Sequence, residues 1–118
     1  MANTIYKHDK ILLKCANTVT DSIYQALHKT SIEKNIPPNS NIFNFIEQLN
    51  QDTYGLGCVS IDIDNYLIST QDLILFADLL RDTIQISEEK YAWSEITKHY
   101  AQQLYDNLMQ EIFNQQNK

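Results

Sequence analysis

At 118 residues, with 43% apolar and 20% charged side chains, the chain has the size and composition of one globular domain. It can bury roughly two-thirds of its unfolded surface without staples, which argues against a disordered chain or a disulfide-held miniprotein. Its formal charge of −6 is local: from Asn35 to Glu89 nine carboxylates face one base, Arg81, a net −8, whereas residues 1–34 carry +2 and residues 90–118 balance. An acidic middle repels nucleic acid and anionic membrane and favours a basic partner, mainly by speeding association.

The opening Met1–His8 is polar, without the basic start and apolar run of a signal peptide, and no apolar run approaches the ~20 residues of a membrane span. A soluble cytoplasmic protein is expected. Between His8 and Lys29 the residues Ile11, Leu12, Cys15, Ala16, Val19, Ile23, Ala26 and Leu27 recur at steps of three and four, the stripe of a first helix. Asn35-Ile36-Pro37-Pro38-Asn39 cannot continue it, because proline lacks the N–H and restricts the residue before it. Ser40 or Asn39 caps a short second helix through Ile42, Phe43, Phe45, Ile46 and Leu49, ending near Gln51.

From Tyr54 to Ile68 the period falls to two. Cys58, Ser60, Asp62 and Asp64 alternate with Val59, Ile61 and Ile63, as on a strand with one buried face. Gly55 and Gly57 mark the turn into this segment, and Asp64-Asn65 a turn after which Tyr66-Leu67-Ile68 returns as a second short strand. Ser69 with Asp72 resembles a capping box and starts a third helix at about Thr70, with Leu73, Phe76, Ala77, Leu80 and Ile84 inward and Asp78, Arg81 and Asp82 toward solvent. Ile86-Ser87-Glu88-Glu89 offers the cap of a fourth, longest helix carried by Trp93, Ile96, Tyr100, Leu104, Leu108 and Ile112. The expected fold is mainly α: about four helices packed as a small bundle, with a short β-hairpin or extended segment near residues 57–68, in a single domain over 1–118.

Chemistry-bearing patterns are scarce. His8, His28 and His99 lie in separate stretches without paired-ligand spacing, and there is no zinc-type Cys/His set, phosphate-cradling glycine loop or nucleophile elbow. Cys15 and Cys58 have no C-x-x-C spacing and read as reduced, part-buried small hydrophobes. Asp62-Ile63-Asp64-Asn65 invites a calcium-loop reading, but Leu67 stands where that loop needs glycine and Leu73 where it needs glutamate. No enzyme, metal or cofactor is expected. Two aspartates about 7 Å apart on one strand face suit lysine or arginine forks of another protein, and Tyr54 and Tyr66, flanking them, suit aromatic anchoring; a plain solvated face and plain hydrophobic cover are the competing readings.

The run Tyr54-Gly55-Leu56-Gly57-Cys58-Val59-Ser60-Ile61-Asp62-Ile63-Asp64-Asn65-Tyr66-Leu67-Ile68-Ser69-Thr70-Gln71-Asp72-Leu73 resembles the central stretch of small bacterial immunity proteins of contact-dependent growth inhibition systems, over about residues 36–85. The resemblance is a pattern of small, acidic and aromatic positions. It implies a cytoplasmic antidote that binds the toxic nuclease domain of a cognate effector. On that expectation Asp62, Asp64, Asp72, Asp78 and Asp82 meet the basic toxin, with Tyr54 and Tyr66 as anchors and no catalytic residue, nucleic acid or membrane involved. The rival expectation is a small acidic helical adaptor or phage-type inhibitor acting through protein contacts.

Overall fold

In the computed structural model, which describes residues 2–53 and 60–117, two strands precede the first helix. They are β1 (Ala2–Lys7) and β2 (Lys10–Ala16), followed by α1 (Asn17–Glu33), α2 (Asn41–Thr53), β3 (Ser60–Asp62), a 3-10 turn (Ile63–Asn65), α3 (Thr70–Gln85), a π-helical turn (Ser87–Tyr91) and α4 (Glu95–Gln116). The mainly helical expectation, four long helices with an extended segment between the second and third, therefore holds. Gly55, Gly57, Cys58 and Val59, read above as the entry to that segment, lie outside the described residues.

The first helix begins at Asn17, so the reading of His8–Ala16 as helical is corrected to a β-hairpin. The cause is a bulge. Ile5 pairs with Leu13 and Tyr6 with Ile11, leaving Leu12 as an extra residue on β2. Leu12 and Leu13 are both buried in consequence, and the broken alternation imitates a step-of-three-and-four stripe. β1 escapes a hydrophobicity reading because its inward positions are Asn3, Ile5 and Lys7. Asn3 Nδ2 donates to Thr20 Oγ1 at 2.7 Å and the Lys7 ammonium donates to Asp64, so two buried polar side chains occupy places where apolar ones would signal a strand.

β1 is the middle of a three-stranded sheet of order β2-β1-β3, antiparallel to β2 and parallel to β3. The extended segment thus pairs across the chain, Ile5 beside Ile61, and Tyr66-Leu67-Ile68 does not return as a strand. The amides of Tyr66 and Leu67 both donate to the Ile63 carbonyl, at 3.1 and 2.8 Å, closing a turn that drives Ile63 and Leu67 into the core.

The helix starts follow side-chain caps. Ser40 Oγ accepts from Phe43 N at 3.2 Å, and Ser69 Oγ from Asp72 N at 3.1 Å. The expected start of the fourth helix at Ser87 is corrected: Ser87 opens a separate π-helical turn, with its hydroxyl donating back to the Ile84 carbonyl at 2.7 Å. This turn ends at Ala92 with φ 50 and ψ 44, and leaves Ser94 to cap α4 by accepting from Thr97 N at 3.2 Å. Ile96 then points to solvent, 62% exposed, while Trp93, Ala101, Leu104, Leu108 and Ile112 enter the core. Phe45, in contact with Phe76 and Tyr66 at ring distances of 5.1 and 5.4 Å, lies within the one cluster of buried side chains that all four helices and the sheet share. Among the described residues no helix is long and apolar enough to cross a membrane.

Candidate functional site

Three of the aspartates singled out by the sequence, Asp72, Asp78 and Asp82, are spread along α3. Asp72 lies in its first turn, where the helix dipole favours an anion, and its Oδ2 accepts from Asn41 Nδ2 at 2.9 Å. Asp82, ten residues on, pairs with Lys34 at 2.8 Å, just past α1. Hydrogen bonding from that lysine, helped by Arg81, holds the Asp82 carboxyl below the usual carboxylate range. Asp78 pairs with Arg81 at 3.4 Å.

These two ties bring the α1–α2 connection against α3. The connection leaves α1 through Asn35 at φ 57 and is stiffened by Pro37 and Pro38. The connection and the helix turns beside it form an apolar dent of about 390 Å³ lined by Ile32, Asn35, Ile36, Pro38 and Phe43. Ile32 is 56% exposed and Leu75, on the outer side of α3 between Asp72 and Asp78, is 44% exposed. Glu47 follows Phe43 by one helical turn and is half-buried. The exposed surface here is apolar at Ile32 and Leu75, with Glu47 and the α3 aspartates as the acidic groups of the same elements.

The other expected residues sit elsewhere. β3 ends at Asp62, so Asp62 and Asp64 do not share a strand face as the alternation suggested. Asp62 Oδ1 accepts from Asp64 N at 2.9 Å and caps the 3-10 turn. Asp64 turns back to the end of β1, paired with Lys7 and with His8 Nε2 at 3.3 Å. Tyr66 is half-buried against Phe45, the hydrophobic-cover reading. Tyr54 lies outside the described residues. Asp72, Asp78 and Asp82 thus share α3, two of them tied to the ends of the α1–α2 connection, whereas Asp62, Asp64 and Tyr66 have visible work in holding the fold.

A second concavity, of about 230 Å³, is polar and lined by Ser22, Gln25, Ala26 and Lys29 of α1 with Lys90, Tyr91 and Trp93 of the π-helical turn and its exit. Sequence reasoning missed it because its two halves are some sixty residues apart and neither carries a motif. The dent had a faint signal: Ile32 and Ile36 are apolar residues outside the α1 stripe, beside a helix break. Among the described residues no three His, Cys, Asp or Glu side chains gather as a metal site would require. No protein family, curated protein or solved structure matches the chain.

Proposed function

We propose that the protein is an immunity protein: a cytoplasmic binder that neutralises a cognate toxic effector domain, of nuclease type, by occupying its basic cleft. The observation that carries this reading is the apolar dent of the α1–α2 connection, whose two ends are tied to Asp82 and Asp72 of α3, the helix that also carries Asp78. A nuclease cleft is basic because it binds a polyanion, and carboxylates held on a rigid helix meet its lysines and arginines while Leu75 and the Ile32–Phe43 dent supply the apolar contact. Inhibition of this kind needs occupancy and no reaction.

The test is protection and binding against the toxin domain encoded beside this gene. The parent protein is expected to restore growth and to bind with an association rate that falls steeply with salt. An Asp72→Lys/Asp78→Lys variant with unchanged thermal stability is expected to associate at least about tenfold more slowly, because like charges now meet. If that folded variant binds and protects as well as the parent, this surface is not the interface. If no basic partner is retained and no protection is seen, the immunity reading itself falls.

A further inference from the structure

The cleft along α1 from Ser22 to Lys29 differs in character from the apolar dent. It contains two lysines in a protein of net charge −6. Lys29 is one of two lysines among the described residues, with Lys14, that make no ion pair. Lys90 pairs with Glu33 across the rim, and hydrogen bonding to that carboxylate raises its pKa so that it stays charged. An ammonium has three donors, and this pair engages one of them.

The wall that carries Lys90 is otherwise aromatic and fixed. The Tyr91 hydroxyl and Thr30 Oγ1 are hydrogen-bonded at 3.0 Å, which holds the ring. Its centroid lies 6.3 Å from that of Trp93, with the planes 31° apart. Ser22 and Gln25, two turns and one turn before Lys29 on α1, add neutral polar groups. The backbone that presents this wall is unusual twice over: a π-helical turn, a rare element that recurs at functional sites, ends in Ala92 at φ 50, a left-handed conformation that a Cβ disfavours. Ala92 itself is exposed, and its left-handed backbone closes the turn and delivers Trp93 to the cleft wall.

We propose that this cleft binds a small anion carried on a flat ring, of the nucleoside monophosphate class, with the anionic group between Lys29 and Lys90 and the ring against Tyr91 and Trp93. Paired ammonium groups beside aromatic faces recognise those two parts of such a molecule together. A volume of about 230 Å³ falls below the usual range of roughly 300–1,000 Å³ for drug-sized ligands and suits one ring with one phosphate rather than a dinucleotide. Glu33 is the internal competitor, because it already holds Lys90.

Trp93 is the only tryptophan of the chain and reports from the cleft wall. The experiment titrates the full protein with uridine monophosphate, uridine and inorganic phosphate, read by tryptophan fluorescence and by backbone amide NMR. Saturable binding of the monophosphate is expected, tighter than that of phosphate or uridine alone, with shifts centred on Ser22–Lys29 and Lys90–Trp93. Lys29→Ala, an exposed position, should weaken it by about fivefold; Glu33→Gln should tighten it by releasing Lys90; Lys14→Ala should leave it unchanged. No saturable response up to about 10 mM monophosphate, beyond which binding carries under ~3 kcal/mol, overturns the proposal, as does binding indifferent to Lys29→Ala. Phosphate binding as tightly as the monophosphate overturns its aromatic half.

Discussion

The Lys7–Asp64 pair ties the end of β1 to the 3-10 turn after β3, and breaking it from its two sides should have unequal costs. The Lys7 side chain is 9% exposed and that of Asp64 25%. At about 3 Å and an effective dielectric near 20, their attraction is roughly 5 kcal/mol, of which desolvation of both groups cancels most. Asp64→Ala leaves a nearly buried ammonium without a counter-charge. A fully buried orphan charge costs about 3–5 kcal/mol; since Asp64 borders solvent, water entering its vacated place reduces this to about 2–3 kcal/mol. Lys7→Met keeps the packed stem and leaves Asp64 near water with His8 at 3.3 Å, for about 1 kcal/mol. The double variant should lie near Lys7→Met alone, giving a coupling energy of about 2 kcal/mol. Urea denaturation at pH 7 measures all four proteins, and amide exchange at Ser60–Asp62 should accelerate before that of α3 in Asp64→Ala. Equal costs for the two single variants, or a coupling below about 0.5 kcal/mol, would refute the argument. The result also bears on function, because a loss of binding in Asp64→Ala reports on the fold as much as on any partner.

Two further outcomes follow from the core and the π-helical turn. Burial pushes the Cys15 thiol up to about 11, so the folded state keeps a proton that the unfolded chain releases near pH 8.5. Stability is therefore whole below about pH 8.5 and declines between there and about pH 11, by up to roughly 3 kcal/mol; Tyr24, raised by burial as well, adds to the loss from about pH 10. Cys15→Ala should flatten the first part of that decline in urea midpoints taken from pH 8 to 11 under reducing conditions, and an unchanged slope would exclude Cys15 as its source. Ala92→Gly removes a left-handed alanine whose strain of about 1–2 kcal/mol exceeds the extra chain entropy of glycine, about 0.4–1 kcal/mol. A gain of about 0.5–1 kcal/mol is expected in thermal unfolding, and a loss of that size would mean the conformation is not strained.

The parts of the fold legible in the sequence were those governed by local rules. Ser69 capping α3 and Ser40 capping α2 are contacts over three residues, and the proline pair ending the first helix acts through its own backbone. The parts that were not legible depend on distant partners. β1 is tolerated as a strand because Asn3 finds Thr20 and Lys7 finds Asp64, and the start of α4 moves to Ser94 because Ser87–Tyr91 forms a π-helical turn that ends at left-handed Ala92. The same division runs through the candidate site. The acidic residues of α3 were visible as charges on a solvent face, whereas the dent forms only once the chain break at Asn35–Pro38 brings Ile32 of α1 beside Phe43 of α2.

Those ties also change what the acidic middle offers a partner. Arg81 is shared between Asp78 and Asp82, Lys34 reaches Asp82 from α1, and Lys7 reaches Asp64 from β1, so the folded surface is less negative there than the sequence segment alone. A basic partner gains most where no ammonium must first be displaced. Among the described residues Asp72 meets that condition, its carboxylate holding the neutral Asn41 amide and sitting at the positive end of α3. Asp82 does not, since an incoming arginine must displace or share with Lys34. Preorganised charge without an internal competitor gives the larger return on binding, which places the electrostatic centre of the proposed interface at the Asp72 end of the dent, with Leu75 as its apolar neighbour and Asp82 steering approach from the far rim.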